Sequence, residues 1–107
     1  FVFLSPRLAL LGIPILQRLT RKGSFPHKGL HHATAWGLGA TVRPRAGEVL
    51  VDPMAGKGIL LLEAAAFWPE SIFVGFDSDV AQLVKAHANA EAVNVGERCN
   101  FLLGDAR

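Results

Sequence analysis

The segment that decides the fold is Val49-Leu50-Val51-Asp52-Pro53-Met54-Ala55-Gly56-Lys57-Gly58, followed directly by the apolar run Ile59-Leu60-Leu61-Leu62. It predicts a short buried strand, a tight glycine turn and the first turn of a helix, which is how α/β proteins form a nucleotide-type cofactor site. Gly56 and Gly58 can adopt positive φ, so that backbone N–H groups and the helix N-terminus approach a ligand closely. Asp52, at the carboxyl end of the strand, can accept hydrogen bonds from that ligand. A G-x-G turn by itself is equally typical of a plain strand-to-helix connection.

Two known nucleotide-binding motifs match this turn only in part. A Walker A loop requires Ser or Thr after Gly-Lys, and this chain has Gly58 there, which disfavours a phosphate-binding loop. The dinucleotide fingerprint requires a small third residue, and that position is Leu61. NAD is therefore disfavoured, and an NAD-linked oxidoreductase fragment is kept as a second hypothesis.

Length and composition limit the domain organisation. The chain has 107 residues, of which 50% are hydrophobic and 19% charged, so it corresponds to one domain or less. It begins on Phe1 and ends on Arg107 after a strand-like run, so we interpret it as a fragment that holds the N-terminal part of a parallel sheet. Cys99 is the sole cysteine, which excludes an internal disulfide and favours a reduced intracellular location, cytoplasmic or nuclear.

Charge is divided unevenly along the chain. All nine acids lie from Glu48 onward, whereas residues 1–47 carry seven basic side chains: Arg7, Arg18, Arg21, Lys22, Lys28, Arg43 and Arg45. This asymmetry predicts contact with a polyanion such as RNA through its phosphates. A solvated basic surface explains the same charges equally well. A nucleic-acid-binding module without catalysis is the third hypothesis.

Membrane and metal functions are not supported by the sequence. Residues 1–16 are apolar, but proline, arginine and glycine interrupt them and they are too short to span a bilayer core of about 30 Å. We expect an extended, partly buried lead-in there, followed by a loop over residues 18–29, and no membrane partner. The adjacent His31 and His32 are expected to point apart on a helix, and His87 is expected to be partly buried on a different helix. No metal site is therefore predicted.

Hydrophobic periodicity predicts three helices that alternate with three strands. The predicted elements are a helix over Leu30–Val42, a strand over Glu48–Asp52, a helix over Ile59–Trp68, a strand over Ser71–Asp77, a helix opened by Asp79 and stopped at Asn94 and Gly96, and a strand over Cys99–Leu103.

The same periodicity assigns residues to the core. In the first helix the apolar face comprises Ala33, Trp36, Gly37 and Ala40, with Trp36 as a core residue. The second helix is apolar nearly all round apart from Glu63, and the second strand is a continuous apolar run, so both are expected to be buried on both sides. In the third helix Asp79 and Gln82 have the spacing of a capping box, and the packed side is expected to hold Val80, Leu83, Val84 and His87.

Each predicted strand ends in or near an aspartate, namely Asp52, Asp77 and Asp105. Strands that alternate with helices form a parallel sheet, whose carboxyl ends share one edge, so we expect the three carboxylates in register at the ligand-binding edge. Asp77 lies 19 residues beyond Gly58, close to the spacing of about 20 at which such folds place an acid on ribose hydroxyls.

These motifs together resemble one family. D-P-M-A-G-K-G at 52–58, H-K-G-L-H-H-A-T-A-W at 27–36, I-L-L-L-E-A-A at 59–65 and V-G-F-D-S-D at 74–79 are similar to the methyltransferase domain of the THUMP-associated RNA guanine-N2 methyltransferases. The resemblance covers roughly residues 26 to 106. It implies an α/β, Rossmann-like sheet that uses S-adenosylmethionine, with a basic lead-in and loop over 1–29 and a partial methyltransferase domain over 30–107.

The resemblance also implies roles for individual residues. Asp77 would hold the ribose hydroxyls, Asp105 with Ala106 would meet the adenine, and the methionine part of the cofactor would be surrounded by Asp52, Met54, Ala55, Gly56 and Gly58. The chain departs from the family at two positions: Ala55 replaces the usual Cys, and Lys57 replaces the common Ser or Thr. Lys57 is a bulky cation that would either favour the cofactor carboxylate or crowd it.

The activity implied is S-adenosylmethionine-dependent N2-methylation of guanosine in tRNA or another small structured RNA. The family's catalytic motif, Asn or Asp followed by two prolines and an aromatic residue, is expected beyond residue 107. No catalytic residue is therefore assigned here, and the fragment by itself is expected to be inactive. The partners implied are the RNA substrate and a small zinc-containing activator subunit, as in eukaryotic family members.

Overall fold

The computed structural model describes residues 2–13 and 25–106. Its elements are β1 (Val2–Ser5), β2 (Leu8–Leu11), α1 (His32–Val42), β3 (Val49–Asp52), α2 (Ile59–Phe67), β4 (Ile72–Asp77), α3 (Val80–Val93) and β5 (Cys99–Leu103). The six elements predicted from α1 to β5 are all present, with ends within two residues of those expected. Residues 14–24 lie outside the described residues, and they include residues 18–24 of the loop that was predicted over 18–29.

The central sheet is parallel and has the order β3-β4-β5. Asp52 at the end of β3 is level with Gly75 of β4, and Asp77 at the end of β4 is level with Leu103 of β5. Since consecutive parallel strands must be joined by crossovers, α2 and α3 connect them, and the carboxyl ends of all three strands meet at one edge. The predicted α/β fold is confirmed.

The core lies between one face of this sheet and α2 with α3. Phe73 and Phe101 of the strands are buried against Leu61 and Leu62 of α2. Arg98, just before β5, donates from Nη1 to the carbonyl of Ala65 at 2.8 Å, near the C-terminal end of α2. As predicted, α2 is buried nearly all round, because α1, α3 and the sheet surround it.

The other face of the sheet is open in the described part of the chain. Val51, Ile72 and Leu102 are 55%, 45% and 48% exposed. The expectation that β4 is buried on both sides is therefore not met here, because α2 and α3 both cover the Phe73 face and α1 packs on α2 instead of on the sheet.

Helix α1 packs through its smallest residues. Ala35 and Gly39 are buried, whereas Trp36 is 47% exposed and meets Phe67 only edge-on, with ring centroids 6.2 Å apart. A Cβ on Gly39 would lie 2.8 Å from the ring of Trp68, so only glycine permits this approach of the two helices. The prediction of Trp36 as a core residue is wrong, because the large side chain is excluded from a close helix contact.

The buried side of α3 is rotated from the predicted one. Leu83, Ala86 and Ala90 face the core, while Val80 and Val84 are 57% and 63% exposed. His87 is exposed rather than partly buried; its ring lies edge-on to that of Phe101, with centroids 5.8 Å apart.

Only part of the predicted capping arrangement forms at the start of α3. The side chain of Asp79 accepts the N–H of Ala81 at 2.8 Å, as an N-cap residue does. The reciprocal capping-box bond to Gln82 is replaced, because the Asp79 N–H donates to Asp77 Oδ1 at 2.9 Å. At the other end, Asn94 adopts the left-handed conformation with φ 57° and ends the helix as predicted.

The lead-in forms an antiparallel hairpin of β1 and β2. Ser5 Oγ accepts the N–H of Leu8 at 3.0 Å across the turn. All eight strand residues are exposed, so the expectation of a partly buried lead-in is wrong for residues 2–11. Within residues 2–13 and 25–106, no helix has both the length and the apolar character needed to cross a membrane.

Candidate cofactor-binding site

A cleft of about 500 Å³ opens at the carboxyl edge of the parallel sheet. It is lined by Gly29, Leu30, Asp52, Met54, Ala55, Gly56, Lys57, Ile59, Leu60, Asp77 and Gln82. Five of the eight residues predicted for cofactor binding are therefore brought together, namely Asp52, Met54, Ala55, Gly56 and Asp77. The other three, Gly58, Asp105 and Ala106, do not line the cleft.

The two glycines of the turn are required for different reasons. Gly56 has φ 54° and no atom within 4 Å of where a Cβ would stand, so its open side faces the cleft. Gly58 is buried, with φ 75°, and its Cβ would stand 2.5 Å from Cζ of Phe101. Gly58 thus permits packing against an aromatic ring rather than close approach of a ligand.

The N–H groups of these glycines hold the turn together. Gly56 donates to Asp77 Oδ2 at 2.8 Å, and Gly58 donates to the carbonyl of Ala55 at 2.9 Å. The expectation that both N–H groups face a ligand is therefore wrong. What does open on the cleft is the start of α2: Ile59 and Leu60 line it, and Gly58 supplies no side-chain cap.

Asp77 connects the glycine turn to the start of α3. Its half-buried carboxylate accepts Gly56 N–H through Oδ2 and Asp79 N–H through Oδ1, at 2.8 and 2.9 Å. A carboxylate offers about four acceptor positions, so these two bonds orient the group and leave acceptor capacity toward the cleft.

Asp52 shapes the first part of the turn. Its Oδ1 accepts the N–H of Met54 at 3.0 Å, which fixes the chain as it leaves β3. Met54 is 79% exposed at the rim. Ala55, in contrast, is 9% exposed and donates its N–H to the carbonyl of Phe76 at 2.8 Å, which ties the turn to β4.

Gly75 was not identified from the sequence as part of the site. A Cβ there would stand 2.7 Å from Ala55 Cβ and 2.7 Å from the ring of Phe101. Because Gly75 has no Cβ, the glycine turn and the ring of Phe101 pack directly over β4. An isolated glycine inside a strand pattern is the signal that indicates such a close approach.

The three strand-end aspartates are stepped along the edge instead of lying in register. Asp52 is level with Gly75, so Asp77 lies two residues further along the chain. Asp77 is in turn level with Leu103, so Asp105 lies two residues further again. The first step, within β4, corresponds to about 6–7 Å. Asp105 and Ala106 are exposed at the far end of this series, which explains why they lie outside the cleft.

One wall of the cleft comes from the segment that precedes α1. Gly29 and Leu30 line the cleft, and Lys57 donates from Nζ to the carbonyl of Lys28 at 2.7 Å. The Lys57 ammonium is therefore held by the wall. Asn89 of α3 also bonds to this segment, and sequence reasoning missed it because nothing local to α3 reveals a partner 62 positions away.

The lining of the cleft combines a few polar side chains with glycines and apolar side chains. Among the described residues, no group of three or more His, Cys, Asp or Glu side chains is placed to hold a metal ion. Cys99 lies in the core below the site, where burial raises the pKa of its thiol to about 11 and the nearby Arg98 opposes that shift. Cys99 is thus an uncharged core residue at neutral pH.

Comparison with curated proteins places the chain among methyltransferases. It is 34% identical over 103 residues to the U6 snRNA (guanine-N(2))-methyltransferase THUMPD2 of Mus musculus, covering 95% of this chain and 20% of that protein. The Bos taurus protein of the same name is 35% identical, with 95% and 21% covered. The chain thus spans about a fifth of the length of these relatives.

Solved structures support the same grouping. TrmN from Thermus thermophilus is 32% identical with a TM-score of 0.64, over 70% of this chain and 23% of that one. A SAM-dependent methyltransferase from Geobacter sulfurreducens, in complex with S-adenosyl-L-homocysteine, is 27% identical with a TM-score of 0.65, over 76% and 33%. The fold is the Rossmann-like fold of S-adenosylmethionine-dependent methyltransferases. The family model described as "RMKL-like, methyltransferase domain" matches residues 24–107, and the chain belongs to that family.

Proposed function

We propose that this chain is the cofactor-binding part of an S-adenosylmethionine-dependent RNA methyltransferase that modifies the N2 atom of guanosine in tRNA or another small structured RNA. The observation that carries the proposal is the cleft at the carboxyl edge of the sheet, in which Asp77 and the glycine turn meet. Relatives named as guanine-N2 methyltransferases support the choice of reaction.

The residues of the cleft fit the cofactor. Its volume of about 500 Å³ lies within the range of about 300–1,000 Å³ of small-molecule sites. Asp77 retains acceptor capacity for vicinal ribose hydroxyls, and Gly56 leaves open space beside the turn. The N-terminus of α2 favours a negative group such as the methionine carboxylate. When bound, S-adenosylmethionine supplies an electrophilic methyl group.

Within this proposal the residues have distinct tasks. Asp52, Met54, Ala55 and Gly56 would surround the methionine part, and Gly58 would support it indirectly by seating the turn on Phe101. Asp105 and Ala106 would meet the adenine from the outer end of the stepped edge. The division into a lead-in over 1–29 and a partial methyltransferase domain over 30–107 remains our proposal.

The reaction does not need a strong base, because the methyl carbon is already electrophilic. Alignment of the guanine amine with it, and acceptance of hydrogen bonds from that amine, would be the work of the Asn/Asp-Pro-Pro-aromatic motif expected beyond residue 107. The target base would have to leave its stack to reach the cleft.

Partners and location follow from the same proposal. The basic residues of positions 1–47 would contact RNA phosphates, although Arg18, Arg21 and Lys22 lie outside the described residues. We also propose a small zinc-containing activator subunit, and an intracellular location in cytoplasm or nucleus.

Methyl transfer from radiolabelled S-adenosylmethionine to RNA tests the function. The full-length protein would be incubated with tRNA and with small structured RNAs, and the RNA digested to nucleosides. We expect label in N2-methylguanosine, and none when inosine, which lacks the 2-amino group, replaces guanosine. Label retained on inosine-containing RNA, or found in another nucleoside, would contradict the proposed reaction.

A further inference from the structure

Asn89 of α3 joins the cleft wall to the glycine turn through one buried amide. Its Oδ1 accepts the N–H of His27 at 2.9 Å, and its Nδ2 donates to the carbonyls of His27 and Lys57, both at 3.0 Å. The side chain is 0% exposed. Both donors of the amide are therefore used, and each bonds a different part of the chain.

The segment held in this way forms a wall of the cleft. Residues 25–30 pack through Phe25 on the hydrophobic core and present Gly29 and Leu30 to the cleft. A Cβ on Gly29 would stand 3.0 Å from Ile59 Cγ1, so the wall lies directly against the start of α2. Lys57 makes a second tie, from Nζ to the Lys28 carbonyl at 2.7 Å.

We propose that Asn89 is a positioning residue for the cofactor: it acts through His27 and Lys57 to hold the 25–30 wall against the glycine turn. This inference rests on the proposed cofactor-binding function. Asn89 is fully buried and does not line the cleft, so it cannot contact a ligand. Any effect of its replacement on cofactor affinity must therefore pass through the wall or the turn.

The substitution Asn89→Asp tests the role with nearly unchanged size. It keeps an oxygen for the His27 N–H but replaces two donors by an acceptor that faces the carbonyls of His27 and Lys57. In the full-length protein we expect the Kd for S-adenosylmethionine to rise about tenfold or more, the factor that corresponds to one hydrogen bond of ordinary strength. Asn100→Asp is the matched control, because Asn100 is an exposed asparagine of β5 and should leave the Kd unchanged.

Hydrogen exchange in the absence of cofactor gives a second readout that does not depend on ligand binding. We expect faster exchange of the His27 amide and its neighbours in residues 25–30 in the Asn89→Asp variant, with the Phe73 amide of the core protected as in the wild type. A role in overall stability alone would instead raise exchange at both places equally and leave the Kd unaltered at temperatures where the variant is folded.

The outcomes separate this inference from the proposed function. If the wild type binds S-adenosylmethionine and Asn89→Asp binds equally well, the positioning role is overturned while the function stands. If the wild type does not bind the cofactor, both fail. Should Asn89→Asp not fold, Asn89→Ala removes all three side-chain hydrogen bonds without placing a charge in the core, and unchanged exchange across 25–30 in that variant would overturn the inference.

Discussion

The substitution Gly58→Ala should lower the local stability of the central sheet, because Gly58 has a positive φ and packs directly against the ring of Phe101. Its φ of 75° costs a residue with a Cβ about 1–2 kcal/mol. The new Cβ would also stand 2.5 Å from Cζ and 2.7 Å from Cε1 of Phe101, which is only 4% exposed and cannot swing into solvent. Overpacking of this kind costs about 1–3 kcal/mol. The expected loss of local stability is therefore about 2–5 kcal/mol.

Native-state hydrogen exchange of the full-length protein measures this loss where it occurs. The amide of Phe73 pairs with the carbonyl of Arg98 at 2.8 Å between β4 and β5 and reports opening of the sheet. A loss of 2–5 kcal/mol corresponds to exchange that is roughly 30-fold to several-thousand-fold faster.

Alanine at Gly56 is the matched control for the contact with Phe101. Gly56 also has positive φ, at 54°, but no atom lies within 4 Å of its Cβ position, so only the backbone cost of about 1–2 kcal/mol applies. Equal effects of Gly56→Ala and Gly58→Ala on the Phe73 amide would refute the reasoning from the aromatic ring.

Three further outcomes are expected. Gly56→Val should abolish S-adenosylmethionine binding in calorimetry while circular dichroism still reports a folded protein, because the side chain enters the cleft; global unfolding would show that the position is structural. Burial raises the pKa of the Cys99 thiol from 9.0 to about 11, so the folded state keeps a proton that the unfolded chain loses. This stabilisation is complete below about pH 9 and disappears as the pH rises through 11. The free energy of unfolding, measured with urea at a series of pH values, should therefore fall between pH 9 and 11, and Cys99→Ala should remove this contribution to the fall. Replacement of Arg18, Arg21 and Lys22 together should weaken binding of all RNA sequences alike and reduce the salt slope by up to roughly one unit per lost phosphate contact, with cofactor affinity unchanged; an unaltered slope would mean that these residues form only a solvated surface.

The strands and the glycine turn could be predicted because their signals are local. The apolar runs before Asp52, Asp77 and Asp105 mark strands whatever the rest of the chain does, and Gly56-Lys57-Gly58 between a strand and a helix predicts the turn. Alternation of helices and strands then places the acids on one edge. Asp52, Gly56 and Asp77 of the cleft follow from these steps, whereas Met54 and Ala55 were predicted from the family resemblance.

The details that were missed or wrong depend on partners far away in the chain. Gly58 was expected to face a ligand because the ring of Phe101, 43 positions later, is invisible in a local pattern. Trp36 was placed in the core because periodicity identifies an apolar side of α1. It does not show that α1 approaches α2 closely through the small residues Ala35 and Gly39. Asn89 was not singled out, because its partners His27 and Lys57 are 62 and 32 positions away in the chain.

The stepped edge was missed for a related reason. Sequence indicates that a strand ends in an acid, but it does not reveal the relative shift of neighbouring strands, which depends on how their faces are buried in the folded protein. That shift of two residues per strand leaves Asp77 beside the glycine turn and moves Asp105 out of the cleft.

Calorimetric titration of the full-length protein with S-adenosylmethionine, comparing the wild type with Asp77→Ala and Glu97→Ala, tests the proposed cofactor site most directly. Glu97 is the control acid, because it is exposed and precedes β5 at the opposite edge of the sheet. The wild type and Glu97→Ala should bind with equal affinity. In Asp77→Ala, the free energy of binding S-adenosylmethionine should be less favourable by about 1.5–3 kcal/mol for each charge-assisted hydrogen bond to the ribose that is lost. Wild-type affinity in Asp77→Ala would contradict the placement of the cofactor at this edge of the sheet.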